Sequence, residues 1–561
     1  MTTENLQSVK TVGVGFAPIL KHFFDKSCIA EIIDKNIPLD PRRTKLTHGQ
    51  AAVAMITGIL FQVSQLYKIS QFADETTVLK VILPGISSEE YFDDRLADTL
   101  DAIFEYGIGN SELLITKNMI DKFNIETNIC HNDTTSVSVY GDCDNNQTDK
   151  SIKITFGYSK KHRQDLKQLI WSVSVSSDSG FPLFQKCYNG NTSDVGTYIE
   201  QWNNLIELLG RKNFIYVADS KLATFENMTH IDKNEGFFIA PVPMYESYKT
   251  VFYKALAEHT DEVLIPYKNQ LNRGFEVPVT VRHEEKDYQF RMLILFDHGV
   301  AERNRNTLKN FVEKTKADFN GITKKLNKYK LKNEQDIDDS CRAVLKKYQT
   351  GDFFTYQIKN EPVTTYRNKK RGRTGKNPEK SAVKKDNFIL SVSFNEEAFD
   401  KALYYCGYYP MITNITKDAL NIESAMMVHK DHYKSEHINR LSKSGYNIEP
   451  IYLHTPERIE AFLLLFKTAL QLLILIERTC RKNIAERDKG LDDFMPNRQD
   501  VRNPTCKNIL MAFQYVVCGV VFFSDGQNYG FVSELTELQK DILSLLDVPY
   551  NYFTYDYINS C

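Results

Sequence analysis

Two short apolar runs, each closing on an aspartate, constrain this chain more than any other feature. The first is Ile129-Cys130-His131-Asn132-Asp133 and the second Phe214-Ile215-Tyr216-Val217-Ala218-Asp219. Both read as buried strands, and an aspartate at a strand end often does no more than open a turn. A third carboxylate, Glu436, lies in a helical stretch that also carries His429, His432, Arg440 and Lys443. Together the three carboxylates supply the hard oxygen ligands that Mg²⁺ favours. If they converge, they can serve phosphodiester chemistry with paired ions ~4 Å apart.

Bulk properties exclude several other classes. A chain of 561 residues holds several domains with sizeable cores. Its 42% hydrophobic and 25% charged content is ordinary for a globular protein. The formal net charge is only −2, so any nucleic-acid surface must come from segregated charge rather than a global excess. The ten cysteines are scattered, without a C-x-x-C pair, which fits a reducing cytoplasm better than a disulfide framework. No signal-peptide pattern opens the chain. The apolar stretch 461–476 contains Lys467 and Gln471 and is shorter than the ~20 residues of a membrane helix. It is expected to be a buried helix, with no membrane role.

Along the chain, residues 1–120 read as a helical domain. Thr47 precedes a run of good helix formers from His48 to Leu60, and Leu96, Leu100, Ile103 and Phe104 form a second stripe at helical spacing. Strand signals follow at 152–156, 169–175 and 181–187. Next comes an amphipathic helix with Tyr198, Trp202, Leu205, Ile206 and Leu209 on one side, stopped by Gly210. Antiparallel strands, a helix and then the Asp219 strand give the order of an RNase H-like α/β core. Asp219 and Glu436 are 217 positions apart, too far for that core alone. The expected organisation is therefore a helical domain at 1–120, a first core part at 121–240 and a mixed, partly β insertion at 241–405. A second core part at 406–485 and a helical C-terminal region at 486–561 complete it. Within the insertion, 308–348 reads as one or two Lys-rich helices.

The strongest charge feature also lies in the insertion. Between 367 and 385 stand Arg367, Lys369, Lys370, Arg371, Arg373, Lys376, Lys380, Lys384 and Lys385, against the single acid Glu379. With Gly372, Gly375 and Pro378 interleaved, this stretch reads as a loop. Its bland role is solvated surface; its functional role is contact with DNA phosphates, which adds salt-dependent affinity without sequence readout. His429, His432 and His437 suggest zinc only weakly, because a closed zinc site wants cysteine partners that are absent nearby. Asp142, Asp144, Asp165 and Asp194 read as turn or loop-bracing residues.

In order along residues 20–480, several segments resemble the DDE transposases of bacterial insertion sequences. The closest likeness is to the insertion-sequence-4 superfamily, and within it to the insertion-sequence-1634 type. The segments are Asn132-Asp133-Thr134-Thr135, the run from Gly157-Tyr158-Ser159-Lys160 to Leu169, and Gly180-Phe181-Pro182-Leu183. They continue with Gly190-Asn191-Thr192-Ser193-Asp194, Val217-Ala218-Asp219-Ser220, and Glu436 with Arg440, Lys443, Pro450-Ile451-Tyr452 and Arg458-Ile459. The superfamily's helix signature places Tyr, Arg, Glu and Lys where this chain has His429, His432, Glu436 and Lys443. Two of the four positions thus depart, and a histidine is charged only in part near neutral pH. On one continuous helix these positions and Arg440 would share a face.

The resemblance implies an enzyme that binds the terminal inverted repeats of double-stranded DNA and target DNA. Cleavage and strand transfer would use Asp133, Asp219 and Glu436 with two Mg²⁺ (or Mn²⁺) ions. Lys443, Arg440 and the two histidines would hold the reacting strand. A homodimer on DNA and a bacterial cytoplasmic location are implied as well. The alternatives are a catalytically weakened or domesticated transposase acting as a DNA-binding protein, and a metal-dependent nuclease without strand transfer.

Overall fold

The computed structural model describes residues 6–40, 45–141, 150–158, 163–193, 196–259, 261–328, 330–368, 380–496 and 498–560. It is a mixed α/β structure with a large mixed sheet and many helices. The chain divides into two compact units. One comprises Met1–Pro243, Thr280–Phe290 and Ile412–Cys561, the other Met244–Val279 and Arg291–Met411.

In the first unit, five strands lie in the order Pro182–Tyr188, Lys167–Ser176, Ile129–Val139, Ile215–Val217 and Phe237–Pro241. The first three are antiparallel neighbours. Ile215–Val217 and Phe237–Pro241 then continue the sheet in parallel. The strand expected to close at Asp133 in fact runs on to Val139, because Lys167–Ser176 pairs with it along its whole length, from Cys130↔Ser176 to Val139↔Lys167. Residues 152–156, expected as a strand, contribute only the bridge Thr155↔Gln168. The amphipathic stretch forms the helix Thr197–Leu209, which buries Tyr198, Trp202, Leu205 and Leu208 and stops at Gly210 with a left-handed φ of 64°. Gly tolerates that conformation without strain.

The helix Pro456–Ala485 is long and apolar enough to cross a membrane, yet 94% of its apolar window is buried inside the protein. It packs on the sheet, with Phe466 edge-on to Trp171 at 6.2 Å. Lys467 forms a fully buried ion pair with Glu112 at 3.1 Å. Lys467 also donates to Thr116 Oγ1 at 2.7 Å, and Glu112 accepts from the Gln185 backbone at 2.7 Å. These contacts tie the helix Ile108–Phe123, the strand Pro182–Tyr188 and the long helix together.

The N-terminal region is chiefly helical. The helix His48–Leu60 starts at a Thr47–Gln50 capping box. Leu96, Leu100 and Ile103 are buried on Asp93–Tyr106. Neither end of the chain is purely helical, however. Leu6–Gly13 pairs antiparallel with Val517–Phe523, which in turn pairs with Asn528–Val532. That three-stranded sheet joins stretches far apart in sequence, and neither stretch carries a local signal for the other.

In the second unit, Val263–Tyr267 forms a hairpin with the start of Gln270–His283. Two helices, His298–Lys325 and Glu334–Tyr348, fill the Lys-rich stretch, capped by the side chains of Asp297 and Asn333. They share a small core of Val312, Phe319, Ile337 and Cys341 with Phe354 and Leu390 of the ribbon Phe354–Asn360/Phe388–Phe394. The basic stretch is not simply a loop. Its flanks pair as Val363–Asn368 with Lys380–Lys385, register Arg367↔Ser381. The β-formers Val363, Thr364, Thr365 and Tyr366 account for this pairing. Lys369, Lys370, Arg371, Arg373 and Lys376 lie outside the described residues.

Candidate active site

The site is built on the strand Ile129–Val139. Apart from its first residue, Asp133 is the only position of this strand that is not buried. Its parallel neighbour explains why. The pairing with Ile215–Val217 ends at His131↔Val217. Asp133 and Asp219 each lie two residues beyond that last pair, past the end of the shorter strand. Adjacent strands lie ~4.8 Å apart, and residues two apart share a face. Beyond Val217 the neighbouring chain turns away, so one flank of Asp133 opens while the other stays paired to Val173.

Both aspartates are held. Asp133 Oδ1 accepts from its neighbour Thr134 N at 2.8 Å, and Oδ2 from Asn439 Nδ2 at 2.8 Å. Asp219 Oδ1 accepts from the hydroxyl of Tyr198 at 2.6 Å and from Lys221 N at 2.8 Å. Tyr198, read from sequence only as a core residue, therefore also positions a carboxylate; nothing in helical spacing signals that second task.

The helical stretch around Glu436 lies along the same strand, but it is not one continuous helix. Ile422–Lys430 ends in a turn at Asp431–His432, and Tyr433–Arg440 then runs into a π-helical turn, Leu441–Gly445. The one-face alignment expected for His429, His432, Glu436, Arg440 and Lys443 is broken accordingly. His432 packs its ring 5.7 Å from that of His131. Asn439 reaches Asp133, and Lys443 donates to Thr135 Oγ1. These contacts bracket Glu436 in sequence and fasten its helix to the Asp133 strand; the Glu436 side chain itself is exposed. Arg440 is exposed and turns to His437 Nδ1 at 3.0 Å. His429 sits in the preceding helix, where burial, with smaller contributions from His432 and Lys430, lowers its pKa to about 4. π-turns occur often at functional positions, and this one sets the place of Lys443.

The donor set fits a hard divalent ion. It consists of carboxylate oxygens, while burial pushes the nearby Cys130 thiol up to about 12 and keeps it from acting as a soft ligand. Among the described residues no three His, Cys, Asp or Glu side chains are grouped to hold a metal ion. The three carboxylates are thus not closed into one chelate, and neither are His429, His432 and His437.

Beside Asp133 lies a cavity of about 330 Å³ lined in part by Thr134, Thr135, Tyr158, Gly190, Thr192 and Lys221. It brings together segments distant in the sequence. A Cβ on Gly157 would stand 2.0 Å from Gly190 O, and one on Gly190 2.0 Å from Gln168 O. Those two glycines are required by close backbone approach. Of the other acids, Asp165 pairs with exposed Arg163 at 2.8 Å. Asp142, Asp144 and Asp194 lie outside the described residues.

A family described as the transposase DDE domain matches residues 129–472, more than half of the chain. The chain belongs to the DDE transposase family. A domain of unknown function, DUF4277, matches residues 8–116 of this transposase, ahead of the DDE domain. No curated protein matches it. The matched domain spans the strand of Asp133, the approach to Asp219 and the Glu436 helix, and it contains the whole second unit.

Proposed function

We propose that this transposase cleaves the ends of its own element and joins them to target DNA, with Asp133, Asp219 and Glu436 as the catalytic carboxylates on an RNase H-like core. The observation that carries the reading is that Asp133 and Asp219 each stand two residues past the last pair, His131↔Val217, of neighbouring parallel strands, beside a helix fastened to the Asp133 strand through Asn439 and Lys443. The order and residues of its motifs support reading it as a member of the insertion-sequence-4 superfamily, of the insertion-sequence-1634 type.

Asp133, Asp219 and Glu436 would hold two Mg²⁺ or Mn²⁺ ions, which activate the attacking hydroxyl and stabilise the leaving 3′-oxygen. Thr134 N and the Asn439 amide orient the carboxylate of Asp133. Tyr198 and Lys221 N fix Asp219 in the same way. Lys443, now on Thr135, and Arg440, now on His437, would take phosphates of the reacting strand. The basic stretch 367–385 adds backbone contacts, and two copies acting on two ends make a dimer on DNA the working assembly.

The test is cleavage of DNA carrying the sequences that flank the gene, in Mg²⁺. Strand ends bearing 3′-hydroxyls, followed by joined product, are expected. Cleavage without joining would leave a metal-dependent nuclease. Specific binding without either reaction would leave a weakened transposase, the reading that His429 and His432 in place of the signature's Tyr and Arg favour.

A further inference from the structure

Asn439 occupies a position that no motif assigns. It lies three residues after Glu436, one helical turn on and on the same side. Its Nδ2 donates to Asp133 Oδ2 at 2.8 Å. The residue is only 9% exposed, and its Oδ1 is buried with no hydrogen-bond partner among the described residues. A buried carbonyl oxygen left without a partner is costly, and folded proteins rarely keep one idle. Here it belongs to the same planar amide whose nitrogen grips the candidate carboxylate, so it is held in one rigid group with that contact.

The residue type fits both ends. A second carboxylate here would repel Asp133, and an aliphatic side chain would fill the space without holding anything. An amide donates to the charged carboxylate through nitrogen and presents a neutral, hard oxygen beside it. Mg²⁺ and Mn²⁺ take such oxygens, directly or through a bound water.

We propose that Asn439 is a positioning residue of the acidic site: its Nδ2 fixes the rotamer of Asp133, and its Oδ1 supplies a neutral oxygen to the divalent-cation site that Asp133 forms. This rests on reading Asp133, Asp219 and Glu436 as that site. The role predicts a defect in cation affinity that appears before any DNA is added.

The experiment is a Mn²⁺ titration of the full chain without DNA, with free Mn²⁺ read by electron paramagnetic resonance and folding by near-ultraviolet circular dichroism. Asn439→Leu and Asn439→Ser are each expected to weaken Mn²⁺ binding about 10- to 100-fold while the folded spectrum is kept. The serine variant serves if leucine does not fit. Asn439→Asp is expected to shift the pH dependence of Mn²⁺ binding upward, because two adjacent carboxylates hold a proton between them. Wild-type affinity in both neutral variants, with binding lost in Asp133→Asn, would overturn the role of Asn439 and leave the acidic site standing. Wild-type affinity in Asp133→Asn would overturn the site itself and this inference with it.

Discussion

Asp133 and Asp219 each follow by two residues the last pair of their neighbouring parallel strands, His131↔Val217, where the second strand ends. One flank of the Asp133 strand remains paired to Val173. The strand on its other flank has ended by that level, and Asp133 is only partly buried there.

That arrangement makes a sharp prediction for charge removal. Asp133→Asn keeps the shape of the side chain and replaces the charge that holds a cation. Strand cleavage in Mg²⁺ should fall below detection, while gel-shift affinity for the element ends stays nearly unchanged. Residual Mg²⁺-dependent nicking near the parent rate would remove Asp133 from the catalytic set. Asp219→Asn should behave alike, and Tyr198→Phe should lose only part of the rate, since it removes one of the two hydrogen bonds on Asp219 Oδ1.

Much of this was legible because local chemistry is written locally. The strands around Asp133 and Asp219, the Tyr198 helix with its Gly210 stop and the Thr47 cap carry their own signals. What was not legible depends on partners distant in sequence. The run 129–133 looks finished at Asp133 because Asp commonly opens turns, yet the partner strand Lys167–Ser176 extends it to Val139. His429 and Glu436 have helical spacing, but the turn at Asp431–His432 separates their helices. Leu6–Gly13 gives no sign that it pairs with Val517–Phe523. Asn439 looks like any polar residue on a helix until Asp133 is placed against it.

The basic stretch offers a second prediction. Arg367 and Lys380 lie on opposite arms of the ribbon Val363–Asn368/Lys380–Lys385, together with Lys384 and Lys385. Each phosphate that is no longer neutralised should lower the slope of log K against log salt by about 0.9. Replacing Arg367, Lys369, Lys370, Arg371 and Arg373 by Gln should therefore weaken DNA binding most at low salt and flatten its salt dependence. An unchanged slope would identify the basic stretch as one that takes no phosphates.

Stability should hinge on Glu112 and Lys467, both fully buried and 3.1 Å apart. Burial raises the carboxyl pKa and lowers that of the ammonium, and their mutual attraction opposes both shifts. Removing one partner leaves the other polar group stranded, at a cost of roughly 3–5 kcal/mol. Glu112→Leu or Lys467→Met alone should thus sharply lower the denaturant midpoint. The double variant should recover most of the loss, since apolar replacement of a buried pair is often neutral. If the two losses simply add, the pair is not energetically coupled.

His429 gives the pH prediction. Burial lowers its pKa to about 4 from the ordinary 6.5, so the fold favours the neutral ring. Between those values the unfolded chain binds a proton that the folded chain does not. The stability that depends on this ring is therefore fully present above about pH 6.5 and is lost as pH falls toward 4. The full difference is roughly 3 kcal/mol at most. His429→Gln keeps a polar side chain without the titration. Measured by denaturant melts at pH 7 and pH 4.5, the wild type should lose more stability on acidification than this variant. Because the ring is neutral throughout the neutral range, it cannot grip a phosphate as a cation there, and His429→Gln should leave the pH profile of cleavage unmoved. His432, packed on His131 at the start of the Glu436 helix, is then the histidine whose replacement by Arg tests phosphate grip. A permanently charged, bidentate guanidinium at that place should hold or raise cleavage. A folded His432→Arg protein that no longer cleaves would show instead that the imidazole itself is needed.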